Sequence, residues 1–416
     1  MTETTRRRFI ASSAAAAVLA APALARAQEI VLDFPSWQTD EPGAGDWWRQ
    51  SIAAFQQSHP GVRVNLYMIT FAQYVQQLTT RFAANNPPDI VHLPARNFAS
   101  FAAQDWLQPV DDILAQTDVP RLWTPLQAEM EWDGKVRGLL LMGFGNVLFY
   151  NEKLLADAGV ALPTEAEPWL AAMERLTRRD QGQFGFACTT IEHPQLLVDA
   201  ATWTASQGLD WLEGGRYRFT EPRIVAALEQ YRRAVRVAPP GQSAEASRQL
   251  FIDGKIAFMR DGPWVWAQLQ RAPDAVKPHL KLGRVPLPQV AGGTSNSLHI
   301  ATRTTGRKRE LVAEFMKLVT TQPMQEQYTI RTGAPAPRRG AMSEAEAARY
   351  PHLRLANQLA EQARNMFPVV PAVRENYNEF ARAVAQAAMR MISSNDPTPQ
   401  ILADLQRGLE RQIPLR

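Results

Sequence analysis

The sequence predicts an α/β fold in which strands and helices alternate along the chain. Over residues 29–93, runs with apolar residues at every second position alternate with runs whose apolar residues recur every three or four positions. The chain has 416 residues, 45% of them hydrophobic, which is enough for two or three domains with real cores. Successive strand–helix–strand units favour parallel sheets with right-handed crossovers.

The first part of the chain is predicted to contain three strands and two helices. The first helix begins at Asp46, the predicted N-cap, and its apolar residues Trp48, Ile52 and Phe55 fall on one face. His-Pro-Gly at 59–61 ends it. The strands are predicted at residues 29–34, 62–68 and 89–93, and the second helix at 71–84.

The middle of the chain changes character after a predicted turn at residues 132–135. Residues 138–150 form an apolar run interrupted by Gly143 and Gly145, which suits a hinge because glycine absorbs backbone changes cheaply. The later elements are predicted as a mostly helical region at 170–250, a strand at 298–301 and a helix at 310–319.

Residues 251–266, FIDGKIAFMRDGPWVW, carry the strongest functional signal. Asp253-Gly254 reads as a tight turn, residues 256–259 as a buried strand, and Pro263 as the first residue of a new helix. Trp264 therefore lies just beyond the carboxyl end of a strand, where open α/β sheets bind ligands. Trp266 is interpreted as a core residue.

The amino-terminal residues predict export. Residues 5–10, TRRRFI, match a twin-arginine signal, an apolar stretch follows, and Ala-Arg-Ala at 25–27 reads as the cleavage site. We therefore expect residues 1–27 to be a signal peptide, and the mature protein to begin at Gln28. No lipobox cysteine precedes that position, so the expected location is the periplasm of a Gram-negative cell.

Charge and cysteine content exclude several classes of protein. Removing residues 1–27 takes away four of the 45 basic and one of the 41 acidic residues, so the formal charge falls from +4 to +1. This near-neutral balance predicts no nucleic-acid partner. The single Cys188 lies in an apolar run and allows no internal disulfide, and the six histidines lack metal-ligand spacing. We expect no metal and no cofactor.

The stretch at 251–266 resembles the F-x-x-G-K-x-A-M…G-x-W signature of family 1 extracellular solute-binding proteins, the sugar receptors of ABC importers. Tyr150-Asn151 followed by a helix resembles a second segment of the same family. The resemblance implies a two-lobed periplasmic-binding-protein fold, in which each lobe is a mostly parallel sheet flanked by helices. It also implies a monomer that binds a sugar and docks on a membrane permease, with Trp264 stacking on a sugar ring.

The same resemblance implies that the chain crosses the hinge between the lobes three times. The first lobe is expected to comprise residues 28–143 plus 293–321, and the second lobe residues 144–292 plus 322–416. The ligand is expected in the cleft between them, because pockets favour domain interfaces.

Ten residues match the contact segments of the family and are the predicted binding site. Carboxylates and amides accept hydrogen bonds from sugar hydroxyls, arginines donate them, and aromatic rings stack on the apolar face of a sugar. Compared with the family, the pattern has fewer acids and fewer aromatic residues, which indicates a small ligand. The set is Trp37, Gln38, Asp40, Glu41, Arg96, Asn97, Phe144, Trp264, Arg374 and Tyr377.

Several alternatives remain open at this stage. Arg96 also suits an anionic sugar or glycerol phosphate, because arginine pairs with carboxylate and phosphate, and a polyol is a further alternative. Asp40 and Glu41 equally fit a solvated acidic loop, and Tyr377 equally fits a core position beside Phe380. An exported glycoside-processing enzyme is disfavoured because the sequence lacks the G-x-S-x-G, H-E-x-x-H and complete G-x-G-x-x-G motifs.

Overall fold

The structure is a computed structural model that describes residues 29–415, so the predicted signal peptide and Gln28 lie outside the described residues. Strands and helices alternate from the first element onward, as the sequence predicts. The described strands are β1 Ile30–Ser36, β2 Val62–Met68, β3 Ile90–Pro94, β4 Glu131–Trp132, β5 Lys135–Val136, β6 Leu139–Leu140, β7 Gly143–Gly145, β8 Val147–Asn151, β9 Phe184–Ala187, β10 Leu212–Glu213, β11 Arg216–Tyr217, β12 Ile256–Asp261, β13 Leu280–Arg284, β14 Val290–Thr294, β15 Asn296–Ile300 and β16 Ala363–Asn365.

Helices connect and cover these strands. The region at 170–250 contains mainly helices, as predicted. The described α-helices are α1 Ala44–Ser58, α2 Phe71–Ala83, α3 Phe98–Ala102, α4 Asp111–Leu114, α5 Val119–Leu122, α6 Glu152–Asp157, α7 Ala166–Arg175, α8 Gln195–Ala205, α9 Pro222–Arg236, α10 Ala244–Ile252, α11 Val265–Leu269, α12 Gly306–Thr320, α13 Gln322–Thr332, α14 Glu344–Arg349, α15 Pro351–Glu361, α16 Pro371–Glu375, α17 Tyr377–Ser393 and α18 Thr398–Gln412.

The fold has two α/β lobes. In the first lobe, β1 pairs in parallel with β2, and β15 lies between β3 and β6. In the second lobe, four strands pair in the order β13-β8-β12-β9. The core of the first lobe includes Phe34, Trp48 and Phe315, and that of the second includes Trp169 and Trp203, whose rings stack 5.3 Å apart.

The sheets are mixed, and the prediction of mostly parallel sheets is wrong. Parallel pairs join β1 to β2, β9 to β12 and β14 to β16, whereas β15 runs antiparallel to both of its neighbours. In the second lobe β8 is likewise antiparallel to β12 and β13. The reason is that β8 and β15 follow β7 and β14 directly, without a crossover helix, so each enters its sheet from the opposite end.

A third sheet, in the order β16-β14-β7, lies where the chain passes between the lobes. Strand β7 separates β6 of the first lobe from β8 of the second, and β14 separates β13 from β15. The two strands pair antiparallel, with Gly292 opposite Gly145. A Cβ atom on Gly292 would lie 1.9 Å from the carbonyl oxygen of Phe144, so only glycine permits this close pairing.

Local sequence explains the first helix, with one correction. Trp48, Ile52 and Phe55 are buried on one face of α1, as predicted. The predicted cap at Asp46 is wrong, because α1 begins at Ala44 and Asp46 lies within its first turn, 2.7 Å from the Arg49 guanidinium. An acid at this position still interacts favourably with the helix dipole.

Candidate functional site

A cleft between the two lobes holds the candidate site, with about 710 Å³ of empty space including its open mouth. Side chains from loops of the first lobe face side chains from α8, α10 and the end of β12 in the second. Six of the ten predicted residues line the cleft, namely Trp37, Gln38, Glu41, Arg96, Phe144 and Trp264.

Trp264 is placed by the break after β12. It is half-buried and precedes α11, which begins two residues later than the predicted helix. Its ring meets Phe144 edge to face at 4.9 Å. The ring also lies directly over Gly262, where an added Cβ would come within 2.0 Å of it. The Asp261-Gly262-Pro263 break therefore both ends the strand and makes room for the indole.

The loop after β1 supplies a second aromatic residue. Trp37 is 7% exposed and stacks on His92, with ring centroids 4.0 Å apart and planes inclined by 6°. Gln38 accepts a hydrogen bond from Nε1 of Trp48 at 3.2 Å, which fixes its amide. One face of the Trp37 indole is therefore covered by His92.

Arg96 is held by aromatic rings. It follows β3 and is half-buried, and its guanidinium carbon lies 5.5 Å from the ring centre of Phe71 and 5.6 Å from that of Phe367. Within residues 29–415, no carboxylate forms an ion pair with it. Cation–π contacts orient a guanidinium without neutralising it, so Arg96 offers an uncompensated positive charge to the cleft.

The second lobe contributes a wall of buried ion pairs that sequence reasoning missed. Arg248 binds Asp261 through two hydrogen bonds of 2.8 and 3.3 Å. Arg260 pairs with Asp199 and lies 3.4 Å from Oδ1 of Asn146. One signal was present in the sequence, because Arg260 and Asp261 are charged residues at the end of an otherwise apolar strand.

Glu41 faces this wall from the first lobe. Burial raises its pKa to about 7, while Arg248 and the Gln38 amide act in the opposite direction. The His193 imidazole lies 3.7 Å from Glu245 at the same cleft, and burial lowers the pKa of His193. The site thus contains a carboxyl group that takes up a proton near neutral pH.

A pH experiment tests this assignment of Glu41. The ordinary pKa of a glutamate is 4.5, and the pKa of Glu41 in the folded state is about 7. Between these two pH values the folded state binds more protons at Glu41 than the unfolded state does. Glu41 therefore makes stability fall as pH rises through that window. We expect Glu41→Gln to lose less thermal stability than the native protein between pH 5 and pH 8, as measured by melting temperature. Glu174→Gln is the control, because Arg233 lowers the pKa of Glu174 and places its titration below that range. Equal pH slopes for the native protein and Glu41→Gln would contradict the assignment.

Four predicted residues do not line the cleft. Asp40 is exposed on the loop, and Asn97 is buried and donates a hydrogen bond to Asn378 at 2.7 Å. Arg374 and Tyr377 line a smaller cavity beside the cleft, into which Arg96 also extends. The resemblance could not determine which side of each short helix faces the cleft.

Among residues 29–415, no group of three or more histidine, cysteine, aspartate or glutamate residues is arranged to hold a metal ion. No described helix is long and apolar enough to cross a membrane. Cys188 is buried, and burial raises the pKa of its thiol to about 12.

Two α/β lobes around a cleft lined from both sides define the class of two-lobed binding proteins. The chain belongs to the family described as bacterial extracellular solute-binding protein, whose model matches residues 38–326. This confirms the family resemblance seen in the sequence. The family is an extracellular one whose members bind solutes.

Individual relatives are distant in sequence. A binding protein of Brucella abortus strain 2308 is 24% identical over 254 residues, and the chain spans about 60% of the length of such curated relatives. Maltose-bound MalE3 of T. maritima has a TM-score of 0.82 at 18% identity, covering 92% of this chain and 99% of that one. UgpB from Mycobacterium tuberculosis, in complex with glycerophosphocholine, has a TM-score of 0.77 at 19% identity and coverages of 91% and 97%. These likenesses establish the fold.

Proposed function

We propose that the protein captures a carbohydrate and delivers it to the permease of an ABC transporter. The proposed ligand is a monosaccharide or a small oligosaccharide, and anionic sugars are among the candidates. One observation carries this proposal: the half-buried indole of Trp264 lies at a cleft that both lobes line with polar and charged groups. An aromatic face packs on the apolar face of a sugar, while polar side chains around it bind the hydroxyls. The family membership supports the same conclusion.

The proposed mechanism is closure of the two lobes about a hinge. We propose lobes of residues 28–143 plus 293–321 and of residues 144–292 plus 322–416. Two of the three proposed crossings fall on β7 and β14, which pair with each other. The third is proposed between α12 and α13, and α13 beyond it still packs on α1 of the first lobe, where Tyr328 meets Trp47. A ligand that touches both lobes favours the closed form, because only differential contacts shift such an equilibrium.

Binding rather than catalysis is favoured by the state of the cleft carboxylates. Glycoside hydrolysis needs two acidic groups that flank the scissile bond. Of the carboxylates that line the cleft, Asp261 is engaged by Arg248 and Glu245 lies 3.7 Å from His193, so among the described residues only Glu41 has no basic partner in an ion pair. We therefore propose that the protein is not an enzyme and releases its ligand chemically unchanged.

The proposed cellular context follows from the amino-terminal sequence. Residues 1–27 would direct export by the twin-arginine route, and the processed protein would act in the periplasm as a monomer.

The second candidate function is a receptor for glycerol phosphate or a polyol. Of these two ligands, the uncompensated charge of Arg96 favours glycerol phosphate.

A thermal-shift screen tests the proposed function. The panel contains neutral mono- and disaccharides, polyols, sugar acids and glycerol phosphates. A ligand at one hundred times its dissociation constant is expected to stabilise the fold by about 2.7 kcal/mol, which a melting curve resolves. Small-angle scattering with the best ligand should show a smaller radius of gyration, and chromatography should recover the ligand unchanged.

The screen separates the candidates. A shift with sugars supports the carbohydrate receptor, whereas a shift with glycerol phosphate or polyols alone transfers the function to the second candidate. Cleavage of a glycoside during incubation would show an enzyme. An unchanged scattering curve at saturating ligand would contradict closure.

A further inference from the structure

A second cavity lies beside the cleft and shares a wall with it. We call it the annex; it is lined by Arg96, Glu129, Phe367, Arg374 and Tyr377, among others, and has about 320 Å³ of empty space including its opening. Arg96 and Phe367 line both the cleft and the annex. A ligand in the cleft therefore has a neighbouring space for one small substituent.

The annex contains a buried hydroxyl group without a partner. Tyr377 is 2% exposed, and its hydroxyl forms no hydrogen bond with any residue in 29–415. Burial raises its pKa, so the hydroxyl stays protonated and able to donate. A buried polar group that lacks a partner is costly, which points to a partner supplied from outside the chain.

The charges around the annex do not balance. Arg374 is half-buried and donates a hydrogen bond to the backbone carbonyl of Glu129 at 2.7 Å, rather than to a carboxylate. The Glu129 carboxylate accepts hydrogen bonds of 3.1 Å from both Thr294 and Asn365. The annex thus has two guanidinium groups, those of Arg96 and Arg374, and one carboxyl group, that of Glu129. Even when Glu129 is ionised, the annex keeps an excess positive charge.

We propose that the annex binds the carboxylate of a sugar acid, held by the Arg96 guanidinium and the Tyr377 hydroxyl while the sugar ring lies in the cleft against Trp264. The proposal deepens the proposed function and rests on it. It assigns to Tyr377 a role at an acidic substituent rather than at the sugar ring, and to Arg374 the role of a second positive charge in the annex.

The chemistry of the three donors favours a carboxylate. A guanidinium presents two parallel N–H groups that match the two oxygens of a carboxylate, and such charge-assisted bonds are stronger than neutral ones. The aromatic rings of Phe71 and Phe367 fix the guanidinium plane of Arg96 in advance. A preorganised donor loses less entropy when the ligand binds.

The test compares matched ligands by isothermal titration calorimetry. The probes are glucose with glucuronate, galactose with galacturonate, and a hexose phosphate. We expect each uronate to bind at least about tenfold more tightly than its neutral partner, because one charge-assisted hydrogen bond is worth that factor or more. Tyr377→Phe should lower the affinity for uronates about tenfold, leave the affinity for neutral sugars unchanged, and not lower the melting temperature of the empty protein.

Tyr231→Phe is the matched control. The Tyr231 hydroxyl is also buried and also lacks a partner among the described residues, but it lies in α9, away from both cavities. The control should change neither affinity nor selectivity. Neutral sugars that bind as tightly as uronates, a preference for the phosphate, or equal losses for both ligands in Tyr377→Phe would overturn the annex proposal alone. Failure of every sugar to bind would overturn the proposed function as well.

Discussion

Replacing Trp264 by alanine is expected to weaken sugar binding by roughly 2–4 kcal/mol, the loss typical of a central aromatic anchor. The ring is half-buried, is supported edge to face by Phe144, and rests over Gly262 at the cleft. Its truncation removes the stacking surface without breaking any strand pairing. Calorimetry with the best ligand of the screen measures the loss, and melting of the empty protein should change little.

Two further substitutions make this test specific. Trp266→Ala is the matched control, because Trp266 packs on His352 at 4.4 Å and does not line the cleft, so stability should fall while sugar affinity is retained. Gly262→Ala should weaken binding by a smaller amount, since the new methyl group displaces the Trp264 ring. Unfolding of Trp264→Ala, with no specific loss of affinity, would make Trp264 a core residue.

Much of the fold was predictable because burial and local periodicity coincide. Strand β1 buries Leu32 and Phe34, and helix α1 buries Trp48, Ile52 and Phe55 at the predicted spacing. Strand direction was not predictable in the same way. Nothing in the local pattern of β8 or β15 shows that each enters its sheet from the other lobe, and so runs antiparallel to its neighbours.

The binding site, too, was only partly predictable from the sequence. Trp264 was predictable because a strand end, a break and an aromatic residue lie together in the sequence. The pairs Arg248–Asp261 and Arg260–Asp199 were not, because the first joins α10 to β12 and the second joins α8 to β12. Their meeting depends on how those elements pack, which neither residue type nor spacing reveals.

The buried pair Arg260–Asp199 gives the second large prediction. Both residues are deeply buried, with 7% and 3% of their surface exposed. Asp199→Ala leaves the buried Arg260 guanidinium with Asn146 as its one remaining side-chain hydrogen-bond partner among the described residues, so we expect the free energy of unfolding to fall by roughly 3–5 kcal/mol. Urea unfolding of the ligand-free protein measures it. Glu174→Ala, at an exposed pair with Arg233, should cost no more than about 1 kcal/mol.

A double substitution separates the structural role of this pair from its role in binding. Asp199→Leu combined with Arg260→Met replaces two buried charges by apolar groups, which in other buried pairs is neutral or stabilising. We therefore expect the double variant to recover most of the stability lost in Asp199→Ala. Because Arg260 lines the cleft, the affinity of the double variant for sugar should nevertheless be lower than that of the native protein. Native affinity in the double variant would show that Arg260 does not contribute to binding. A near-native stability of Asp199→Ala alone would show that water already reaches Arg260.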